Sequence, residues 1–351
     1  MVTKNGKDHP LDEGAESVKR LTKDLKLAAK KLTDTEARFL VDGYYIMQEN
    51  RKRSDNQVRA LGENAEPNSV LAWMAEQADV MESQLKRALD AYTDAHPMGN
   101  WMRQVVGIGP VISAGLLAHI SMEPWKCMRQ NLKNKACKPG EPCTPQCGRV
   151  PTTTTGKIWR FAGLDPTSVW EKGQKRPWNA TLKTLCWKAG QSFMKFSNRE
   201  DCFYGQKYKE RKIYEWERNL KGGQAVRATS LLEKIGKTTE AYPWLVGCYH
   251  PDAVRALRTV ADGSLTPPML AAIKLKPGEG VPMLPPGHID AMARRWAVKL
   301  FLAHLHDAWF EGHFGKKPPL PYPIAFLGHA DVIKSPIAAP KSWAEERPAA
   351  E

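Results

Sequence analysis

Leu71, Met74, Ala78, Met81, Leu85, Ala88 and Tyr92 recur at intervals that alternate between three and four residues, which places all seven along one side of an α-helix. A strand repeats every second residue, so this spacing cannot serve one face of a sheet. The stripe is sustained for about three heptads, and strand-like alternation is almost absent elsewhere in the chain. The sequence therefore predicts a mostly α fold, with a helical coil region followed by a helix-hairpin-helix-containing helical domain that carries an inserted Cys-rich loop. The stripe has two possible neighbours: another helix of the same chain, which the small Ala78 and Ala88 suit, or a second copy, through self-association of the 68–93 helix.

Local punctuation divides the chain further. Residues 1–16 read as disordered and 17–99 as the helical, coiled-coil region. Within it, Thr33-Asp34-Thr35-Glu36 has the spacing of a capping box, residues 62–67 break the pattern, and Pro97 and Gly99 end the striped helix. Residues 100–261 form the hairpin-containing domain, with an insert at 126–156 where the composition turns to Lys, Cys, Pro, Gly and Thr. A Pro- and Gly-rich linker over 262–287, an amphipathic helix and Pro-rich segment over 288–333, and a disordered tail over 334–351 complete the expected order.

Lys and Arg number 52 against 38 Asp and Glu, a net charge of +14, which attracts phosphate polymers or anionic membranes. No apolar run is long enough to span a bilayer and the first thirty residues lack the apolar core of a signal peptide. The expectation is a soluble, cytoplasmic protein with no membrane partner. Seven cysteines, an odd number, read in that compartment as thiols or metal ligands rather than a disulfide framework.

Gly107-Ile108-Gly109-Pro110 lies between the amphipathic run Trp101 to Val106 and the apolar run Val111 to Ile120. Two glycines allow a tight turn and Pro110 suits the first turn of a following helix. Such a hairpin directs backbone N–H groups and a helix N-terminus toward one point, a sequence-independent phosphate site. Gly107, Gly109 and Pro110 are candidates for that contact; an ordinary αα-hairpin in a core is the competing reading. From Trp170 to Tyr214 cations and aromatics interleave. Cations neutralise phosphates and rings stack on bases, so Lys172, Lys175, Arg176, Lys183 and Lys188 are candidates to follow a nucleic-acid backbone, while most of the rings are expected in the core. Cys127, Cys137, Cys143 and Cys147 share the basic insert. Four thiolates close a tetrahedral structural Zn²⁺ site, although this spacing is not that of paired Cys-x2-Cys knuckles, and the alternative is an insert whose cysteines are incidental.

The order of Gly107-Ile108-Gly109-Pro110, then Phe161-Ala162-Gly163-Leu164-Asp165-Pro166, then Trp178-Asn179 with Leu182-Lys183-Thr184-Leu185 resembles the C-terminal transposase domain of the DEDD-type insertion-sequence transposases, relatives of the Piv and MooV recombinases, over residues 70 to 215. The resemblance implies a transposase-like DNA-binding protein of a mobile element, acting in DNA transposition or site-specific recombination. It implies a serine nucleophile, matched by position to Ser168, with Thr167 the less favoured substitute. Some members of that family are guided by a structured RNA. The family's Mg²⁺ is held by acidic residues of a RuvC-like domain, and the segment upstream of the stripe reads as charged helices instead, so Mg²⁺ is expected only if a separate acidic domain supplies it. Two further classes stay open: a non-catalytic DNA- or RNA-binding accessory protein, and a helical interaction protein with incidental basicity.

Overall fold

In the computed structural model, which describes residues 21–60, 69–122, 125–127, 149–151, 154–260, 265–315, 317–319 and 332–341, the capping box forms as its spacing predicts. The Thr33 amide donates to Glu36 Oε2 at 2.8 Å and the Glu36 amide donates to Thr33 Oγ1 at 3.3 Å, so two otherwise orphaned amides are satisfied reciprocally. The described residues hold thirteen helices and one two-stranded ribbon. They divide into two compact units, Met1–Arg103 with Gly109–Ser121 and Gln104–Ile108 with Met122–Glu351.

The first unit contains α1 (Lys23–Ala29), α2 (Asp34–Ala60), α3 (Ser69–Asp94), α4 (Pro97–Arg103) and α5 (Pro110–His119). Tyr92 reaches Asp34 at 3.2 Å while Arg51 reaches Glu82 at 2.8 Å, so α2 and α3 run antiparallel. The striped face of α3 is buried at Ala78, Ala88 and Tyr92, whereas Met74 and Met81 remain exposed. Glu82 is buried, but its carboxylate accepts from Gln48 and Arg51. Burial opposes its ionisation, and these hydrogen bonds outweigh burial and lower its pKa. Pro97 and Gly99 do more than end α3, because Pro97 opens α4 and Gly99 lies inside it. A Cβ on Gly99 would stand 1.9 Å from the Thr93 carbonyl oxygen, so only glycine permits so close a turn. Pro110 is the first residue of α5, whose side chains are buried almost all round because it packs against α2, α3 and α4. This corrects the expected boundary at residue 100: α5 belongs to the first unit.

The second unit begins with the ribbon of β1 (Trp125–Cys127) and β2 (Arg149–Pro151), paired antiparallel with Cys127 opposite Arg149. The insert is thus bracketed by strand pairing that composition did not suggest. Its helices are α6 (Thr155–Phe161), α7 (Ala180–Lys195), α8 (Phe203–Leu220), α9 (Ala225–Leu232), α10 (Tyr242–Leu245), α11 (Pro251–Val260), α12 (Pro267–Ala272) and α13 (Pro286–Phe314). The sequence suggests an amphipathic α13; it is instead a central helix of the unit, buried through its second half and packed against α6, α7 and α8. Phe193, Tyr204 and Phe301 join three of these helices ring to ring.

In the segment expected as a linker over 262–287, the described residues 265–287 are packed structure. Met283 and Leu284 are wholly buried with Trp216, Trp244 and Tyr249, and the Asn219 side chain fixes Leu284 by accepting from its amide at 2.8 Å and donating to its carbonyl at 3.0 Å. The tail expected to be disordered from 334 onward is ordered as far as 341: the Ile333 carbonyl accepts from His304 Nε2 at 2.7 Å, and Ser335 closes a turn with Ile337. Residues 1–20 and 342–351 lie outside the described residues. Among those described, no helix is long and apolar enough to cross a membrane.

Candidate nucleic-acid interface

The Phe-Ala-Gly-Leu-Asp-Pro motif ends α6 and turns the chain toward α7. Gly163 takes φ 64°, a left-handed conformation, and a Cβ there would meet the Lys183 Cδ and Trp178 Cγ atoms at 2.9 Å. Glycine is required on both grounds. The Phe161 carbonyl accepts the Asn179 amide at 2.9 Å, and the Asn179 side chain in turn caps α7 by accepting from the Leu182 amide at 2.9 Å. Two of the three motifs that carry the family resemblance therefore meet in space, with Lys183 and Trp178 resting on the Gly163 backbone.

Around this junction the cations are held by tryptophans. Lys183 Nζ stands 4.0 Å from the Trp178 ring centre, the Arg176 guanidinium 5.2 Å from that of Trp170, and Lys299 Nζ 4.3 Å from that of Trp159. Trp159 also donates its indole N–H to the Lys299 carbonyl at 3.0 Å, which locks α6 onto α13. The pKa of Lys183 is lowered by burial and then by repulsion from Arg295 and Arg176. Burial followed by Arg227 and Arg294 lowers that of Arg295, although its side chain remains solvent-exposed. His288 is lowered by burial, Arg227 and Arg295, and its Nε2 has no hydrogen-bond partner among the described residues. Burial also lowers the pKa of Lys299, where Asp165 acts in the opposite sense and Arg211 in the same.

The result is a run of like charge from Arg176 through Lys183 and Arg295 to Arg227, beside which His288 is pushed toward its neutral form. The nearby acids are committed elsewhere. Asp290 takes Arg294 at 2.7 Å and Lys212 at 3.3 Å and also accepts from the Tyr208 hydroxyl, while Asp165 accepts from the Thr167 amide at 2.9 Å and hydroxyl at 2.8 Å. Among the described residues no carboxylate forms an ion pair with Lys183, Arg227 or Arg295. Cations crowded against one another in this way repel, and an anion placed among them would relieve that repulsion. Sequence reasoning misses Arg227, His288, Arg295 and Lys299. The available signal is the spacing of His288, Arg295 and Lys299, seven and four residues apart on one side of α13.

The other candidates are dispersed. Lys172 and Lys175 are exposed on the loop before α7, beside Arg176. Lys188 lies five residues after Lys183 on α7, hence on a different side of it, and is half-buried and engaged. Gly107 takes φ 98° and its carbonyl accepts from Ser192 Oγ at 2.6 Å, so this turn is fixed by α7 of the second unit. Gly109 and Pro110 belong to the first unit, where Gly109 is the extended N-cap of α5 without a side-chain capping bond. Ser168 Oγ is shielded from solvent and lacks a hydrogen-bond partner among the described residues.

Cys127 is described only as strand backbone, and Cys137, Cys143 and Cys147 lie outside the described residues. Among the described residues no group of three or more His, Cys, Asp or Glu side chains gathers to hold a metal. His304, which lies near His306 in the sequence, is bonded to Tyr204 and Ile333, and His306 to Asp307. Comparison with protein-family models, with curated proteins and with solved structures gives no match for this chain.

Proposed function

We propose that this chain is a transposase-like nucleic-acid-binding protein whose second unit grips phosphates between α7 and α13. The observation that carries the reading is the gathering of Arg176, Lys183, Arg295 and Arg227 with no ion-paired carboxylate among the described residues, beside two motifs that resemble those of DEDD-type insertion-sequence transposases. In the fuller form of the proposal the protein acts on DNA in transposition or site-specific recombination, with Ser168 as nucleophile and Mg²⁺ supplied through a separate acidic domain. The shielded Ser168 hydroxyl and the commitment of Asp165 to Thr167 favour a second form, a non-catalytic DNA- or RNA-binding accessory protein.

The test is the salt dependence of binding to a labelled duplex. Log affinity is expected to fall linearly with log salt, and replacing Lys183 and Arg295 together by Glu is expected to reduce the slope by about two units, one for each lost phosphate contact. An unchanged slope removes both residues from the interface. Absence of salt-sensitive binding to any nucleic acid selects the helical interaction protein instead. A structural Zn²⁺ on Cys127, Cys137, Cys143 and Cys147 belongs to the same proposal. The thiolates would organise an insert whose composition, rich in Lys, Cys, Pro, Gly and Thr, offers few residues for a core. Metal analysis of reduced protein is expected to find about one zinc per chain, released by Cys143→Ser with Cys147→Ser.

A further inference from the structure

Trp187 follows Lys183 by four residues on α7, so ring and ammonium stem lie one turn apart on the same side of the helix. The buried side of that helix is already filled by Leu182, Leu185, Cys186 and Phe193, while the Trp187 ring is 60% exposed. An indole in that position contributes little to the fold, because its large apolar face stays in water. It is not isolated. Phe161, 45% exposed, ends α6 at the carbonyl that receives the Asn179 amide, and Trp170, 39% exposed, carries the Arg176 guanidinium over its ring. Three partly exposed rings therefore stand at the end of α6, on the loop that carries Arg176 and on α7 beside Lys183, with Trp187 the most open of them.

A duplex offers phosphates to such a surface but few base faces, since each base is already stacked between its neighbours. An unpaired strand offers both, and a cation beside an exposed ring matches the alternation of phosphate and base along it. We infer that this site takes an unpaired stretch of nucleic acid, with a base stacked on Trp187 and adjoining phosphates on Lys183 and Arg176. The inference rests on the phosphate-binding role proposed above and narrows it to single strands or unpaired loops.

Fluorescence anisotropy of the full chain with a labelled oligothymidylate and with a duplex of equal length, at one salt concentration, tests it. The single strand is expected to bind more tightly. Trp187→Ala is expected to weaken oligothymidylate binding about fivefold or more, as loss of one base–aromatic stack would, and to leave duplex binding unchanged. Trp187→Phe, which keeps a ring, is expected to restore most of the loss. Trp187→Gln, which keeps a long exposed chain without a ring, provides the comparison if the alanine variant folds poorly, and is expected to show the same selective loss. Duplex binding as tight as single-strand binding, or indifference of the oligothymidylate to loss of the ring, overturns the inference and leaves phosphate binding standing. Absence of salt-sensitive binding to either probe overturns both.

Discussion

Ser168 illustrates how one residue's surroundings decide its chemistry. A serine nucleophile needs a base within reach, and Asp165, whose backbone carbonyl accepts from the Ser168 amide at 3.3 Å, has its pKa lowered by the hydrogen bonds from the Thr167 amide and then its hydroxyl, which makes it a weaker base. Ser168→Ala removes a hydroxyl that has no partner among the described residues, so stability is expected to stay within about 1 kcal/mol of the parent, with the salt slope of DNA binding unchanged. Loss of DNA cleavage or joining in that variant, with binding intact, would assign Ser168 the catalytic role. The glycines of the hairpin motif separate in the same way. Gly107 at φ 98° would place a Cβ 3.2 Å from Ser192 Oγ, whereas Gly109 has nothing within 4 Å of that position. Gly107→Ala is expected to lower stability by about 1–3 kcal/mol through backbone strain. Gly109→Ala, at an N-cap where alanine ranks below glycine but meets nothing within 4 Å, is expected to lower it by about 1 kcal/mol or less. Denaturant titration of the two variants measures the difference.

At the scale of elements, the first unit depends on how closely the chain turns from α3 into α4. Gly99→Ala would drive a methyl into the Thr93 carbonyl at 1.9 Å. The contact is with backbone, so the turn itself must move, and a loss of about 3 kcal/mol or more in unfolding free energy is expected. A loss below about 1 kcal/mol would show that α4 re-docks without strain. Two helix starts were legible in the sequence for a local reason: the capping box at Thr33 and Pro110 at the first position of α5 involve partners within four residues. The start of α6, capped by Thr154, falls inside the stretch that composition marks as an insert and was not legible. The role of α13 was not legible, because its charged residues at Asp290, Arg294, Arg295 and Lys299 look like a solvated stripe until the neighbouring helices supply Tyr208, Lys212 and Trp159.

At the scale of the whole chain, His304 ties α8, α13 and the segment after residue 331 together, with Tyr204 at 2.8 Å from Nδ1 and the Ile333 carbonyl at 2.7 Å from Nε2. Acceptance of the Tyr204 hydroxyl at Nδ1 and donation from Nε2 require the neutral ring. Burial lowers its pKa from the ordinary 6.5, outweighing the opposing effects of the Ile333 carbonyl and Asp307. Below about pH 6.5 the unfolded chain takes up a proton that the folded chain refuses, so stability falls as pH drops through that value, by at most about 1.4 kcal/mol per pH unit for one histidine. His304→Gln is expected to reduce this acid sensitivity while lowering stability at neutral pH, read from urea midpoints between about pH 7 and about pH 5. An unchanged pH dependence would remove His304 as its source.

The sequence by itself determined the mostly helical class, the starts of α2 and α5, and the concentration of positive charge before and along α7. All of these follow from backbone geometry and side-chain spacing over a few residues, which the order of residues specifies directly. Only the tertiary structure decided that α5 joins the first unit, that residues 265–287 form part of a core, and that Arg295 and Lys299 stand with Lys183 and Trp159 at one site. Those outcomes depend on which apolar faces bury one another and on contacts such as Trp159 with Lys299, 140 residues apart, and no local pattern carries the sum of such contacts.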